Sequence, residues 1–220
     1  MVANRADDIS LSLLKAKREG FLPDVPANEV DALEKLATAV YDGDVRQRPD
    51  GLIGGESCMA RREIISSANA LTNQSLRLTH FTATKSETCT QISTVTAGTA
   101  AGATPTLCKM AVYRVEDNGD ITLLASTAND TTLFAATTTR YTRSLDVPVQ
   151  KIRGQRYALG LLVVSAAAFP TFYGHTIGPS VITSVEPKIS SLVNGQADLP
   201  ASVVNASIGG GPSFYMEILP

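Results

Sequence analysis

The spacing of apolar residues changes along this chain from a helical period to a strand period. Through residues 28–43 apolar residues recur every three or four positions, which predicts an amphipathic helix. From about Arg61 onward apolar and polar residues alternate, which is the period of a strand buried on one face. We therefore predict a short helical segment followed by a β domain.

The predicted helical segment begins near Asp8, is interrupted at Gly20, and resumes with Asn28 in an N-cap position. Its second helix carries an apolar stripe made of Val30, Leu33, Leu36, Val40 and Tyr41. An isolated helix of this length is marginal in water, so the stripe needs a partner. The main domain, a second copy and a neighbouring protein all fit, and we interpret the helix as an assembly element.

The domain boundary follows from turn-forming residues. Residues 43–60 are rich in Gly, Asp and Pro and read as a linker. The prediction is thus a helical assembly or anchoring segment with its linker over residues 1–60, and one antiparallel β-sandwich over residues 61–220. We expect less than about a tenth of the second region to be helical.

Alternating segments fill the second region. Cys108, Met110 and Val112 share one predicted face, as do Ile121, Leu123 and Ala125. Residues 155–164 are apolar enough to predict a central strand covered on both faces. The other predicted strands lie near residues 76–81, 89–96, 141–147, 171–173, 188–192, 203–207 and 213–219. Many short strands between Gly, Pro, Asn and Asp clusters favour a mainly β fold, an antiparallel sandwich of jelly-roll type.

Two connections between strands stand out. Residues 116–120 (EDNGD) predict a tight hairpin turn, because Asn-Gly suits a positive φ. The carboxylates of Asp117 and Asp120 leave calcium open as an alternative, although the alternating ligand set of a calcium loop is absent, and we predict no metal. Residues 96–106 (TAGTAAGATPT) predict a mobile connection at one end of the sandwich.

Charge and hydropathy exclude several classes of protein. The 19 Lys and Arg residues balance 21 Asp and Glu residues and are scattered, which argues against nucleic-acid binding. The longest apolar run, residues 157–169, is too short to cross about 30 Å of hydrocarbon as a helix. The N-terminus does not resemble a signal peptide. We expect no membrane insertion and synthesis in the cytoplasm.

The three cysteines, Cys58, Cys89 and Cys108, have no metal-binding spacing and form no CxxC pair. Cys89 and Cys108 fall in separate predicted strands, so a disulfide between them stays open. In a reducing compartment we predict free, buried thiols.

No catalytic constellation emerges, and we predict neither enzymatic activity nor a cofactor. The chain has two histidines, of which His80 falls in a predicted strand and His175 in an aromatic-flanked loop. The run Gly209–Gly211 lacks the lysine of a phosphate loop. The best candidates for a surface contact lie in two predicted loops: Phe172, Tyr173 and His175 in one, and Gly98, Gly102 and Thr104 in the other.

Several motifs between Leu76 and Pro179 carry a resemblance. They are residues 78–83 (LTHFTA), 99–107 (TAAGATPTL), 112–120 (VYRVEDNGD), 124–130 (LASTAND), 154–160 (GQRYALG) and 169–172 (FPTF). In this order they resemble a β-sandwich module of tailed-bacteriophage minor tail and appendage proteins. The match covers about half the chain, and its motifs specify turns and strand edges.

The resemblance implies a structural component of a tailed-phage virion, in the minor tail, collar or head-appendage set, assembled in the host cytoplasm. It further implies other virion proteins as partners, a homo-oligomer with a trimer favoured, and a role in host attachment through a surface glycan. The alternative function is a carbohydrate-binding β-sandwich module. Its candidate platforms are Tyr113, Tyr141, Phe172, Tyr173 and Tyr215, although the chain has no tryptophan, the residue that such modules often stack on sugars.

Overall fold

The computed structural model describes residues 56–58, 67–102, 105–175 and 188–220. The chain divides into two compact units, Met1–Gly51 and Leu52–Pro220, and every described residue belongs to the second. The predicted helix with Val30, Leu33, Leu36, Val40 and Tyr41 lies outside the described residues and stays a prediction. The domain boundary predicted at residue 60 falls nine residues beyond the division between the units.

The described residues form antiparallel strands. They are β1 (Glu56–Ser57), β2 (Ser67–Ala70), β3 (Leu76–Thr82), β4 (Glu87–Val95), β5 (Pro105–Val115), β6 (Ile121–Ser126), β7 (Arg140–Lys151), β8 (Arg156–Ser165), β9 (Thr171–His175), β10 (Ser190–Val193), β11 (Ser202–Val203), β12 (Ser213–Phe214) and β13 (Met216–Leu219). In these ranges the one helical segment is a 3-10 turn at Asn205–Ser207. The prediction of a mainly β domain is confirmed, whereas jelly-roll connectivity stays a prediction.

The strands associate into three sheets. The first has the order β1-β13-β4-β7, the second β10-β3-β8-β5-β6-β11, and the third β12-β9-β2. Each pairing between named strands is antiparallel. We call them the four-stranded, six-stranded and three-stranded sheets.

An inner core joins the three sheets. It includes Ile92 and Ile218 from the four-stranded sheet, Met110 and Leu161 from the six-stranded sheet, and Phe172 from the three-stranded sheet. The alternation of Phe214, Met216 and Ile218 in the sequence has its cause here, because all three side chains enter this core. So do Cys108, Met110 and Val112, which confirms that they share a face.

An outer core covers the other face of the six-stranded sheet. Leu78, Tyr113 and Leu162 pack there against Val193 and Ile208 from the C-terminal part of the chain. Strand β8 lies between β3 and β5 and is buried along most of its length. The prediction that residues 155–164 form a central strand covered on both faces is therefore confirmed.

A bulge corrects one predicted face. Val112 of β5 pairs with Ala125, but Tyr113 pairs with Leu123, so Leu124 is an extra residue in β6. Because of the extra residue, the side chains of β6 on the two sides of the bulge follow opposite alternation. Ile121 and Leu123 consequently pack on the outer core, while Ala125 enters the inner core. The prediction that these three residues share one face is wrong.

Residues 56–58 also depart from the sequence prediction, which placed them in the linker. Glu56 pairs with Ile218 and Ser57 with Glu217 at the edge of the four-stranded sheet. The Cys58 backbone N–H donates to the Met216 carbonyl at 3.0 Å. Turn-forming composition misassigned this segment because its strand is two residues long and its partner lies at the far end of the chain.

The hairpin between β5 and β6 is confirmed. Gly119 adopts a φ of +85°, and its N–H donates to the Glu116 carbonyl at 2.9 Å. The Asn205 backbone N–H donates to Asp120 Oδ1 at 2.8 Å, so the 3-10 turn docks on the hairpin. Within the described residues no group of three or more His, Cys, Asp or Glu side chains is arranged to hold a metal ion.

Candidate functional site

Strand β9 carries the aromatic candidates. Phe172 is 0% exposed and packs edge-on against Phe134, with ring centroids 4.8 Å apart, and against Phe214 at 5.7 Å. The strand predicted near residues 171–173 is confirmed as part of β9. The interpretation of Phe172, Tyr173 and His175 as a surface loop is wrong, because they belong to a middle strand that pairs with β2 and β12. Phe172 is thus a core residue and does not present its ring to a ligand.

Tyr173 and His175 remain on the surface. Alternation along β9 turns these two side chains away from Phe172, and Tyr173 is half-buried while His175 is exposed. Gly174 between them has no room for a Cβ, which would collide with the Ser213 carbonyl oxygen. Strand β9 therefore presents one tyrosine and one imidazole on the same face.

The described part of the loop that contains Gly98 and Gly102 is held by backbone hydrogen bonds. The Ala97 N–H donates to the Thr171 carbonyl at 2.7 Å, and the Thr171 N–H donates to the Thr99 carbonyl at 3.0 Å. A Cβ at Gly102 would lie 3.0 Å from Ala167 Cβ, whereas Gly98 faces open space. Thr104 lies outside the described residues. These hydrogen bonds place the loop at the start of β9 and not at His175. They also fix the described part of the connection, which we expected to be mobile.

Sequence reasoning missed a buried ionic cluster at one end of the inner core. Lys151 Nζ, on a side chain 0% exposed, lies 2.6 Å from Glu56 Oε2 and 2.8 Å from Glu87 Oε1. Lys85 Nζ lies 2.8 Å from the second oxygen of Glu87. The Thr84 N–H and hydroxyl both donate to Glu56 Oε1, at 3.0 and 2.7 Å. No local pattern signals this cluster, because Glu56 and Lys151 are far from Lys85 and Glu87 in the sequence.

The cluster shifts pKa values in opposite directions for its acid and base. Burial alone would raise the pKa of Glu87, but hydrogen bonds from Lys151 and Lys85 hold that pKa below its ordinary value. Burial alone would lower the pKa of Lys151, but Glu56 and Glu87 hold it above its ordinary value. The charged state of the cluster is therefore favoured across neutral pH.

A second buried carboxylate lies in the four-stranded sheet. Glu217 is 1% exposed and accepts hydrogen bonds from Ser93 Oγ at 2.7 Å, from the Tyr215 hydroxyl and from Arg140. Arg140 itself is 49% exposed. Three donors compensate the carboxylate, so we interpret this group as a structural link between β13, β4 and β7.

One pair has the residue types of a nucleophile and its base. His80 Nε2 lies 2.7 Å from Ser191 Oγ, a distance typical of a serine–histidine pair. However, Ser191 is 0% exposed and lies against the outer core, so its hydroxyl is closed to substrates. The pair joins β3 to β10.

The cysteines are free thiols. Burial raises the pKa of both Cys89 and Cys108 to about 11, which leaves them protonated at neutral pH. Cys58 Sγ donates to the Phe214 carbonyl at 3.2 Å. The prediction of free thiols is confirmed.

In the part of the chain that the structure describes, no helix is long and apolar enough to cross a membrane. Comparison of the chain with protein-family models found no matching family, and comparison with curated proteins found no match.

Proposed function

We propose that this chain is a structural component of a tailed-phage virion, a minor tail, collar or head-appendage protein without enzymatic activity. In this proposal the β domain is displayed on the particle and the segment before it attaches the domain to other virion proteins. The residues that resemble phage appendage modules motivate the proposal.

The observation that carries it is the anchoring of β1. This two-residue strand begins four residues after the start of the second compact unit. The two residue pairs between β1 and β13 alone would contribute little stability. Glu56 adds a buried ion pair to Lys151 and two hydrogen bonds from Thr84. Pulling β1 out would leave Lys151 buried beside one fewer carboxylate, which is costly. A display domain that is held through its N-terminal end needs such a fixed first strand.

Host attachment is the finer part of the proposal. Tyr173 and His175 on β9 form the candidate surface for a host-surface glycan, since an aromatic face and an imidazole are common sugar contacts. We leave Phe172 and Gly102 out of this role because both are closely packed. Gly98 is exposed and faces open space, so it stays a candidate contact.

A carbohydrate-binding module is the weaker alternative. Three of its five candidate platforms, Tyr113, Phe172 and Tyr215, are buried. Tyr141 is occupied on one side by the edge of Phe134, at 5.5 Å, and has Arg143 over its ring at 5.8 Å. Tyr141 and Tyr173 are both half-buried, so neither offers a fully open ring for stacking.

Localisation on the particle tests the proposal directly. An antibody against the β domain, used in electron microscopy of purified particles, should label one fixed place on the virion. In parallel, a chain lacking residues 1–51 should fold but fail to join particles. Unlabelled particles, or normal incorporation of the shortened chain, would contradict the proposal.

Adsorption tests the finer part. Tyr173→Ala combined with His175→Ala should slow adsorption to host cells while particle yield stays unchanged. Thr88→Ala, an exposed change on a different sheet, serves as the control. Reduced particle yield with normal adsorption would assign this surface to contacts between virion proteins instead.

A further inference from the structure

Arg77 on β3 is a half-buried cation for which the described residues supply no acidic partner. In the described ranges no carboxylate pairs with its guanidinium, and its Nε is buried without a hydrogen-bond partner. Its one hydrogen bond, from Nη2 to Thr72 Oγ1, is long at 3.5 Å. By contrast, Arg114, Arg140 and Arg143 each contact a carboxylate.

The uncompensated charge costs stability. Burial lowers the pKa of Arg77 from its ordinary value without any opposing contribution from an acid. An arginine remains protonated under such conditions, so the group stays charged. A protein that only needed to fill this space would be better served by an apolar side chain.

The glycine run Gly209–Gly211 lies directly beside this guanidinium. Gly209 and Leu192 exchange backbone hydrogen bonds, each of 2.9 Å, which fixes the run along the edge of β10. A Cβ at Gly211 would lie only 2.7 Å from Arg77 Nη1 and 3.1 Å from Leu192 Cδ2. Glycine at this position therefore leaves room for the guanidinium, which a larger residue would displace. Within the described residues, the N–H groups of Gly210 and Gly211 donate no hydrogen bond.

We propose that Arg77, beside Gly211 and Thr72, is the binding position for a single oxyanion group, a phosphate or a carboxylate. The planar guanidinium matches the geometry of both groups and is less strongly hydrated than an ammonium. The Thr72 hydroxyl, within 3.5 Å of Nη2, can donate to the same anion. The bound anion supplies the missing counter-charge. This site is independent of the proposed virion role.

The test uses inorganic phosphate as the probe on the full chain. We measure the melting temperature in rising phosphate against sodium chloride of equal ionic strength, and Kd by calorimetry. The wild-type melting temperature should rise and then saturate with phosphate, because a ligand that binds only the folded state stabilises it. Acetate in place of phosphate reports whether carboxylates share the site, and saturation with either anion supports the proposal.

Two variants with matched controls locate the effect. Arg77→Met should weaken phosphate binding roughly 10- to 100-fold, the range expected when a charged hydrogen-bonding group is lost. Arg114→Gln removes an equal charge from an exposed arginine and should leave Kd unchanged. Gly211→Ala should also weaken binding, because the new methyl group displaces Nη1. Gly209→Ala places its Cβ 3.7 Å from the nearest atom and should have no effect.

Each variant is compared with its own phosphate-free baseline, so a change in stability does not obscure the result. Gly211→Ala still tests the site if Arg77→Met fails to fold, because its close contact is with the flexible end of a side chain. The proposal is overturned if wild-type protein shows no rise beyond the chloride control with either anion, or if Arg77→Met and Gly211→Ala both keep the wild-type Kd.

Discussion

At the scale of single residues, burial decides what each aromatic and charged side chain does. Phe172 and Tyr173 are adjacent in the sequence, yet the first is enclosed by Phe134 and Phe214 and the second reaches the surface. Lys151 is fully buried, although lysine is among the residues most often exposed. Substitutions at these three residues probe their environments.

Phe172→Ala should destabilise the domain by about 3–5 kcal/mol, because it removes a large buried side chain and leaves a cavity beside the rings of Phe134 and Phe214. Tyr173→Ala in the same strand should cost far less. Urea unfolding of the two variants measures the difference. Equal costs would mean that the Phe172 ring is not enclosed by the inner core.

Lys151→Met should lower the free energy of unfolding at neutral pH by about 3–5 kcal/mol, because Glu56 and Glu87 are left buried without their shared cation. The pKa of Glu87 should then rise from its lowered wild-type value, because Lys151 no longer opposes the effect of burial. Protonation of Glu87 at low pH removes its uncompensated charge, so the penalty should shrink near pH 4. A penalty independent of pH would contradict this.

In the wild-type protein, the cluster should stabilise the fold at neutral pH and lose that contribution towards both extremes of pH. The lowered pKa of Glu87 contributes stability that is present above its ordinary value of 4.5 and is lost as pH falls through its folded-state value. The raised pKa of Lys151 contributes stability that is present below its ordinary value of 10.5 and is lost as pH rises. The free energy of unfolding, measured at pH values from 3 to 11, should change most steeply with pH at these two ends of the range. Thr88→Ala provides a control outside the cluster.

At the scale of elements, turns and bulges set which face each strand buries. The extra residue Leu124 lets β6 supply side chains to both cores, and the turn at Gly119 returns the chain in register to form β6. This turn is also the docking point for the 3-10 turn at Asn205–Ser207.

Gly119→Ala should destabilise the domain more than Gly154→Ala. Both glycines have positive φ, +85° and +83°, so both substitutions carry the backbone cost of about 1 kcal/mol or more. Only at Gly119 does a Cβ also meet a neighbour, lying 2.5 Å from Asn205 Nδ2. Thermal unfolding measures the difference in stability between the two variants, and adding Asn205→Ala should reduce that difference. Equal stabilities would mean that the Asn205 side chain moves aside without cost.

At the scale of the whole molecule, the first strand of the β domain decides where the chain can be cut. The division after Gly51 leaves β1 with the domain, and β1 carries Glu56 into the ionic cluster. The boundary predicted at residue 60 would remove β1.

A chain starting at Leu52 should therefore fold with near wild-type stability, whereas one starting at Met59 should be clearly less stable. The second loses the β1 pairing with β13 and leaves Lys151 short of a carboxylate. Circular dichroism with thermal unfolding compares the two. Similar melting temperatures for both would show that β1 contributes little to the domain.

The sequence by itself determined the mainly β fold, most strand positions, the burial of β8 on both faces and the Asn-Gly hairpin. These features depend on local period and turn chemistry, which are written in neighbouring residues. The same local information predicted a strand near residues 171–173 and also assigned residues 172–175 to a loop, because the strand partners that decide between the two are distant in the sequence.

The tertiary structure alone decided the features that need distant residues to meet. The ionic cluster joins residues 56, 85, 87 and 151, and the candidate anion position joins residues 72, 77 and 211. The face of Ala125 depended on a single bulge, which no alternation pattern encodes. Burial, unlike period, is a property of the assembled sheets. It made Phe172 a core residue, and it left Arg77 half-buried with no counter-charge from the residues that the structure describes.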